Sequence, residues 1–326
     1  MNIPAIQFKN YTNTQFESKA LEIFRYQTSH NTVYKTFMSH LGIDITSVKS
    51  LLDIPFLPIG FFKDFEVVSS QNPIEKTFTS SGTTGTTPSK HLITDLNLYH
   101  QQLKASFKHF YGDFQNHIIF PLLPAYAERS GSSLIDMVDF WMTETGQENK
   151  TYYLYNHAQL AQDLSKAKQG NKQVILIGVS FALLDFAANF PMELEGITII
   201  ETGGMKGRKK EITRLELHSI LSEAFNTQPI QSEYGMTELL SQAYAQEKGL
   251  FQTPPWMQIL IRDPEDPFNY VPHGKSGGIN VIDLANVNSC AFIATDDLGR
   301  FHAENQLEIL GRFDNSDVRG CNLMVV

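Results

Sequence analysis

Apolar side chains recur at three- and four-residue spacing near the start of the chain, at Phe16, Ala20, Leu21 and Phe24, and again at Tyr34, Phe37, Met38 and Leu41. A repeat near 3.6 residues predicts two amphipathic helices. Gly42 stands where the second helix needs a left-handed residue to stop. The prolines in Ile54-Pro55-Phe56-Leu57-Pro58 exclude a helix there, so this stretch reads as an extended lead into the next unit.

From about residue 116 to 238, short apolar runs alternate with amphipathic segments. The runs His117–Phe120, Val174–Ile177, Ile197–Ile200 and Pro229–Ser232 are strand candidates. Ala158–Lys168, with Asn156 as cap and Gly170 as stop, and Ile212–Phe225 are helix candidates. Such alternation predicts an α/β architecture, a layered sheet with helical cover. After Phe251 the pattern changes. Ile259–Arg262, Ile279–Asp283, Ala291–Thr295 and Leu307–Leu310 read as strands separated by Gly, Pro, Asn and Asp turns. A smaller antiparallel β subdomain is expected on the C-terminal side.

Composition narrows the class. With 42% hydrophobic and 11% aromatic residues, the chain can bury a substantial core. Its net charge of -9 argues against a general nucleic-acid binder. No apolar run approaches the length that spans a bilayer, and Met1 to Lys9 has no signal-peptide pattern. Two cysteines, Cys290 and Cys321, are too few for a disulfide framework and fit a reducing compartment. The expected location is the cytoplasm. The ten histidines show no metal-ligand spacing.

The chemically densest stretch runs from Thr77 to His91. Ser80, Ser81, Gly82, Thr83, Thr84 and Gly85 are followed by Pro88 and Lys90, with almost no apolar side chain after Phe78. Glycines let a backbone approach an anion closely, while amides and hydroxyls donate to phosphate oxygens. Lys90 adds a mobile positive charge. The spacing is not that of a Walker loop. A flexible Ser/Thr/Gly linker has the same composition, and the phosphate reading is preferred because three downstream motifs agree with it.

Those motifs carry a resemblance. Ser80 to Lys90 resembles the phosphate loop of the adenylate-forming superfamily, which includes acyl-CoA synthetases and firefly-type luciferases. Tyr234-Gly235-Met236-Thr237-Glu238 resembles its aromatic-Gly-x-Thr-Glu motif. Thr295-Asp296-Asp297-Leu298-Gly299-Arg300 resembles Thr-Gly-Asp-Leu-Gly-Arg, and Gly311-Arg312-Phe313-Asp314 resembles the Gly-Arg-x-Asp hinge. Four matches in order are far more specific than one. Pro88 to His91, Glu201 to Arg208 and Asp317 to Leu323 bring the chain closer to the acyl-protein synthetases of the LuxE type. The expected fold is therefore the large domain of the adenylate-forming type with a smaller C-terminal β subdomain and no lid domain. Three parts are expected: a helical segment over 1–75 packed on the core, an α/β nucleotide-binding core over 76–250, and a β subdomain with a hinge-like tail over 251–326.

The resemblance implies roles residue by residue. Gly203 and Gly204 would form a turn against the adenine, which glycine permits by lacking a β-carbon. An ordinary strand-to-helix turn is the competing reading. Tyr234, followed by Gly235, would stack on the purine; Thr237 would approach the α-phosphate; Glu238 would help hold Mg²⁺. Asp297 would accept hydrogen bonds from the ribose hydroxyls of ATP, and Arg312 would support the same ribose or screen the developing charge, with a surface turn charge as the competing reading for both. Leu122–Arg129 and Gly178–Phe181 would line an acyl pocket or belong to the core. The basic run Lys206, Arg208, Lys209 and Lys210 faces pyrophosphate or an acidic carrier in one reading and is a solvated helix start in the other.

The two cysteines differ. Cys290 precedes a strand and is expected to be a buried, inert residue. Cys321 follows Arg319 and Gly320 near the C-terminus, where the LuxE-type family carries its acyl group on a cysteine. The implied reaction activates a carboxylic acid, a fatty acid in that family, to an acyl-adenylate and transfers the acyl group to a thiol, here Cys321. Implied partners are an acyl reductase or acyl carrier, or a second copy of the chain. Asp296 replaces the glycine of the superfamily motif, and the lid lysine would have to be replaced by Lys90, by the basic run or by a partner. Two alternatives stand beside this reading: an acyl- or aryl-CoA ligase in which Cys321 is incidental, and a nucleotide-binding scaffold for a reductase.

Overall fold

The computed structural model describes residues 2–80, 87–125, 131–203, 212–302 and 306–313. Helix α1 (Asn13–His30) begins with a reciprocal cap: the Thr12 hydroxyl accepts from Gln15 N, and the Gln15 side chain accepts from Thr12 N. Helix α2 (Thr32–His40) starts on the Asn31 side chain, which accepts from Tyr34 N at 3.0 Å. It stops at Gly42, whose φ of +66° is the left-handed conformation expected there. Leu57–Pro58 forms β1, a two-residue edge strand in which a proline is tolerated. Helix α3 (Phe61–Asp64) follows.

Strands β2 (Lys76–Thr79) and β3 (Lys90–Ile93) pair antiparallel, with Thr79 opposite Lys90 and Phe78 opposite His91. Helix α4 (Leu96–Tyr111) leads to β4 (His117–Leu122), α5 (Ser133–Glu144) and α6 (His157–Ala167). Next come β5 (Gln173–Val179), α7 (Ser180–Asn189), β6 (Thr198–Thr202), α8 (Arg214–Phe225), β7 (Ile230–Tyr234) and β8 (Ala243–Ala245). Strands β4, β5, β6 and β7 run parallel in that order, and β8 closes the sheet antiparallel to β7. Apolar runs such as Val174–Ile177 are buried because helices cover both faces of a parallel sheet.

The C-terminal part is antiparallel, as its short strands and turn residues predict. Strands β9 (Leu250–Phe251), β10 (Met257–Arg262), β11 (Gly277–Asp283), β12 (Phe292–Phe301) and β13 (Leu307–Arg312) assemble in the order β10-β11-β12-β13-β9. The beginning of the chain is tied to this sheet. β1 pairs parallel with β12, Leu57 opposite Ile293. From α1, the buried Gln27 amide donates to Asn286 O and Val287 O and accepts from Ala291 N, all within 3.0 Å. Phe24, Tyr34 and Phe56 surround the ring of Phe292. No helix among the described residues is long and apolar enough to cross a membrane.

Candidate active site

In open α/β sheets the carboxyl ends of the parallel strands are where loops gather around ligands. Here β6 ends at Thr202-Gly203 and β7 at Tyr234, so two of the predicted motifs emerge side by side. Gly203 has φ +65°, a left-handed turn suited to glycine. The Ser180 hydroxyl donates to its carbonyl at 2.6 Å. Gly204 and the basic run of Lys206, Arg208, Lys209 and Lys210 lie outside the described residues, as do Ser81, Gly82, Thr83, Thr84, Gly85 and Cys321.

The stem of the predicted phosphate loop is described. Ser80 N donates to Ser89 O at 3.1 Å, and Ser89 N donates to Ser80 Oγ at 2.9 Å, which joins the two ends of the loop across the hairpin. Thr79 N is held by Gly131 O at 2.7 Å. Lys90 is exposed at the start of β3. The buried Ser89 hydroxyl donates to the Glu238 carboxylate. Burial pushes the Glu238 carboxyl above the ordinary glutamate range, and the Ser89 contact pulls it partly back. A carboxylate set into the site in this way fits the donor set of magnesium, which takes one or two carboxylates and completes its shell with phosphate oxygens and water.

Three separate motifs meet at Asp297. Tyr234 Oη donates to Asp297 Oδ2 at 2.7 Å, although 63 positions separate them. Arg312 lies opposite Asp297 in the β12–β13 register and brings its Nε to 3.5 Å from Oδ1. The Arg312 side chain is 83% exposed, so this ion pair is weakly held and leaves the guanidinium able to move. Burial raises the Asp297 carboxyl above its usual range, opposed by the Tyr234 hydroxyl and the Arg312 charge. Thr237 offers its carbonyl to His91 Nδ1 at 2.9 Å.

Several polar groups in the site were given no role by the sequence reading. Glu233 accepts from the Thr202 hydroxyl across the β6–β7 register. A β-carbon on Gly235 would stand 2.5 Å from Glu233 Oε1, so the glycine of the Tyr-Gly turn is the space that this carboxyl occupies. Burial raises Glu233 to about 7. Glu201 behaves oppositely. Burial pushes its carboxyl up, but the His218 contact and the Arg214 charge outweigh it and hold it below the ordinary range. Arg214 reaches Glu201 Oε1 with Nε at 3.2 Å and Ile309 O with Nη1 at 3.0 Å, spanning from the parallel sheet to β13. The position of His91 beside Lys90 and of Glu233 beside Tyr234 was the available signal, but adjacency does not say which way a side chain points.

Cys290 is fully buried, as expected, and burial pushes its thiol up to about 12, which keeps it protonated and unreactive.

Comparison with known proteins bears on the fold and the family. A long-chain-fatty-acid–luciferin-component ligase from Vibrio harveyi is 26% identical over 92% of this chain and 84% of its own length. A 2-hydroxyisobutyryl-CoA ligase, solved in an open conformation with 2-HIB-AMP and CoA, superposes with a TM-score of 0.70 at 13% identity, over 97% of this chain and 77% of that one. ATP-bound MatB from Rhodopseudomonas palustris gives a TM-score of 0.54 at 17% identity, over 72% of this chain and 47% of that one. The fold is that of the adenylate-forming ligases, and the protein is an enzyme of the ligase type. The model of the family described as acyl-protein synthetase, LuxE, matches residues 147–326, which is more than half of the sequence. The chain belongs to that acyl-protein synthetase family.

Proposed function

We propose that this enzyme activates a fatty acid with ATP and passes the acyl group to a thiol, that of its own Cys321. The observation that carries the nucleotide reading is the meeting of Tyr234, Asp297 and Arg312, from three distant motifs, at the carboxyl end of the parallel sheet. A stacking ring and a diol-accepting carboxylate linked by one hydrogen bond suit a purine nucleoside.

In the first half-reaction a carboxylate oxygen of the acid attacks the α-phosphorus of ATP. The bond from that phosphorus to its bridging oxygen breaks, and pyrophosphate leaves with the electron pair. In the second, a thiolate attacks the acyl carbon, the carbon–oxygen bond to AMP breaks, and a thioester remains. Ser80 to Gly85 and Lys90 would receive the phosphates, Gly203 and Gly204 would face the adenine, Tyr234 would stack on the purine, and Asp297 with Arg312 would hold the ribose. Gly235 would keep the turn below the purine close to β7, and Thr237 would approach the α-phosphate. Glu238 would hold magnesium together with phosphate oxygens, and the metal would offset the charge gathering on pyrophosphate. An acyl reductase or acyl carrier is the partner that would take the thioester onward, and a second copy of the chain is the other partner expected to cover the site.

The test uses labelled fatty acid, ATP and the purified protein. Cys321→Ser should keep acid-dependent ATP–pyrophosphate exchange and lose covalent, hydroxylamine-sensitive acyl labelling, since a serine hydroxyl is far less ionised than a thiol. Cys290→Ser should stay labelled. A wild-type protein that takes no label but forms acyl-CoA when CoA is added would establish the CoA-ligase reading instead. ATP binding without exchange for any acid would leave the scaffold reading.

A further inference from the structure

His91 is the first residue after the lysine of the predicted phosphate loop, and it points inward. It is 1% exposed on β3, with the ring of Phe62 edge-on at 5.6 Å. Both ring nitrogens are engaged. Nδ1 lies 2.9 Å from the carbonyl of Thr237, and Nε2 lies 2.8 Å from the hydroxyl of Ser289. A carbonyl can only accept, so Nδ1 must carry the proton and Nε2 must accept from Ser289 Oγ. The contacts therefore specify one neutral tautomer.

The same turn is held from its other side. Asn286 Nδ2 donates to Glu238 O at 2.8 Å, while Asp283 accepts from Leu240 N and Ser241 N at 3.1 and 2.8 Å. These anchors bind the chain after Glu238 to residues 283–286. His91 holds the Thr237 backbone to the strand that returns from the phosphate loop, alongside the Ser89 hydroxyl that holds the Glu238 side chain. Burial lowers the imidazole to about 4, so it stays neutral at ordinary pH and both bonds persist.

We infer that His91 is a positioning residue: as the Nδ1–H tautomer it fixes the spacing between the phosphate-loop stem and the Thr237-Glu238 turn. The inference rests on the proposed adenylation reading, in which these two segments grip the same triphosphate from opposite sides. A shift of either against the other misplaces the α-phosphorus, and misplacement by about 1 Å is enough to lower rates by up to about a hundredfold.

Three variants separate this role from ordinary core packing. In His91→Asn the amide nitrogen falls near Nδ1 and can still donate to Thr237 O, although Ser289 loses its acceptor. In His91→Gln the amide nitrogen falls near Nε2, and the Thr237 bond is lost. His91→Ala loses both. ATP–pyrophosphate exchange should fall about tenfold or more in the Ala and Gln variants, mainly in kcat/KM for ATP, and by less than about threefold in the Asn variant. Thermal unfolding followed alongside identifies any loss that comes from misfolding. Equal rates in all three folded variants would overturn the inference, because a packing role does not distinguish Asn from Gln. The ¹⁵N shifts of the His91 ring, read in the wild-type protein without any substrate, give a second result that does not depend on activity. An Nε2–H tautomer there would overturn the inference even if the adenylation reading holds. An Nδ1–H ring with no exchange for any acid would overturn the adenylation reading while supporting the contact.

Discussion

The hydroxyl of Tyr234 donates to Asp297 at 2.7 Å, so the residue assigned to the purine face and the residue assigned to the ribose are one hydrogen-bonded unit. Tyr234 ends β7 of the parallel sheet and Asp297 lies on β12 of the antiparallel one. The bond thus also joins the two sheets at the site. It holds a carboxylate that burial would otherwise drive toward its neutral form.

Removing that hydroxyl leaves the ring in place and deprives Asp297 of a buried donor. Tyr234→Phe should raise the KM for ATP roughly tenfold, the equivalent of about 1.4 kcal/mol for a hydrogen bond to a charged group. Steady-state exchange kinetics over a range of ATP concentrations measure it. An unchanged KM would mean that Asp297 does not need this donor to be set for the ribose.

The phosphate loop predicts a binding defect rather than a folding defect. Thr84→Ala combined with Lys90→Ala should weaken ATP affinity, by about tenfold or more for two lost contacts to phosphate, with little change in unfolding temperature. Lys90 is exposed, which is why folding is expected to tolerate the change. Calorimetry with equal affinities for wild type and double mutant would remove the loop from the nucleotide site.

Glu233 gives a pH signature. Its folded pKa of about 7 lies above the ordinary glutamate value of 4.5, so the folded state binds this proton more tightly than the unfolded chain. The contribution is fully present below pH 4.5 and is lost as pH rises to 7. Glu233→Gln cannot titrate. The unfolding free energy of wild type relative to this variant should therefore fall across that window, by at most about 3 kcal/mol from the size of the shift. His91 works in the opposite direction: its folded value of about 4 lies below 6.5, and stability is lost as pH falls through that range. The two slopes oppose each other where the windows overlap, so the difference between wild type and variant is the quantity to measure. A pH-independent difference would show that Glu233 is ionised in the folded protein.

Arg214 should couple the sheets energetically. It pairs with buried Glu201, donates to Ile309 O on β13 and sits 4.8 Å from the centre of the Phe251 ring. Arg214→Leu leaves Glu201 without its cation and should cost about 2 kcal/mol in urea unfolding, less than for a fully buried pair because Arg214 is partly exposed. Arg214→Lys should recover only part of it, since an ammonium cannot reach both acceptors in the fixed geometry of a guanidinium. Full recovery with lysine would argue that charge alone matters there.

The elements with a clean period were legible from the chain itself. Asn156 caps α6, Gly42 ends α2, and the strand candidates at 117, 174, 197 and 229 became β4 to β7 within a few residues of the expected bounds. These depend on local rules: which face is buried, which residue satisfies an end, and which turn needs glycine. Helix α7 was not predicted, because Phe181, Ala182, Leu183, Leu184, Phe186 and Ala187 are buried nearly all round and leave no polar face to mark a period. The order of the four motifs likewise pointed to the adenylate-forming superfamily, and three further segments pointed to the LuxE type, which the family match bears out. What local rules could not supply was the partner of each side chain. Tyr234 meets Asp297, His91 meets Thr237, Arg214 meets Ile309, and Gln27 meets the turn at 286–291 only because strand register and sheet packing bring them together. Periodicity reports that a residue is buried; register across distant strands decides what it is buried against, and that decision belongs to the tertiary structure.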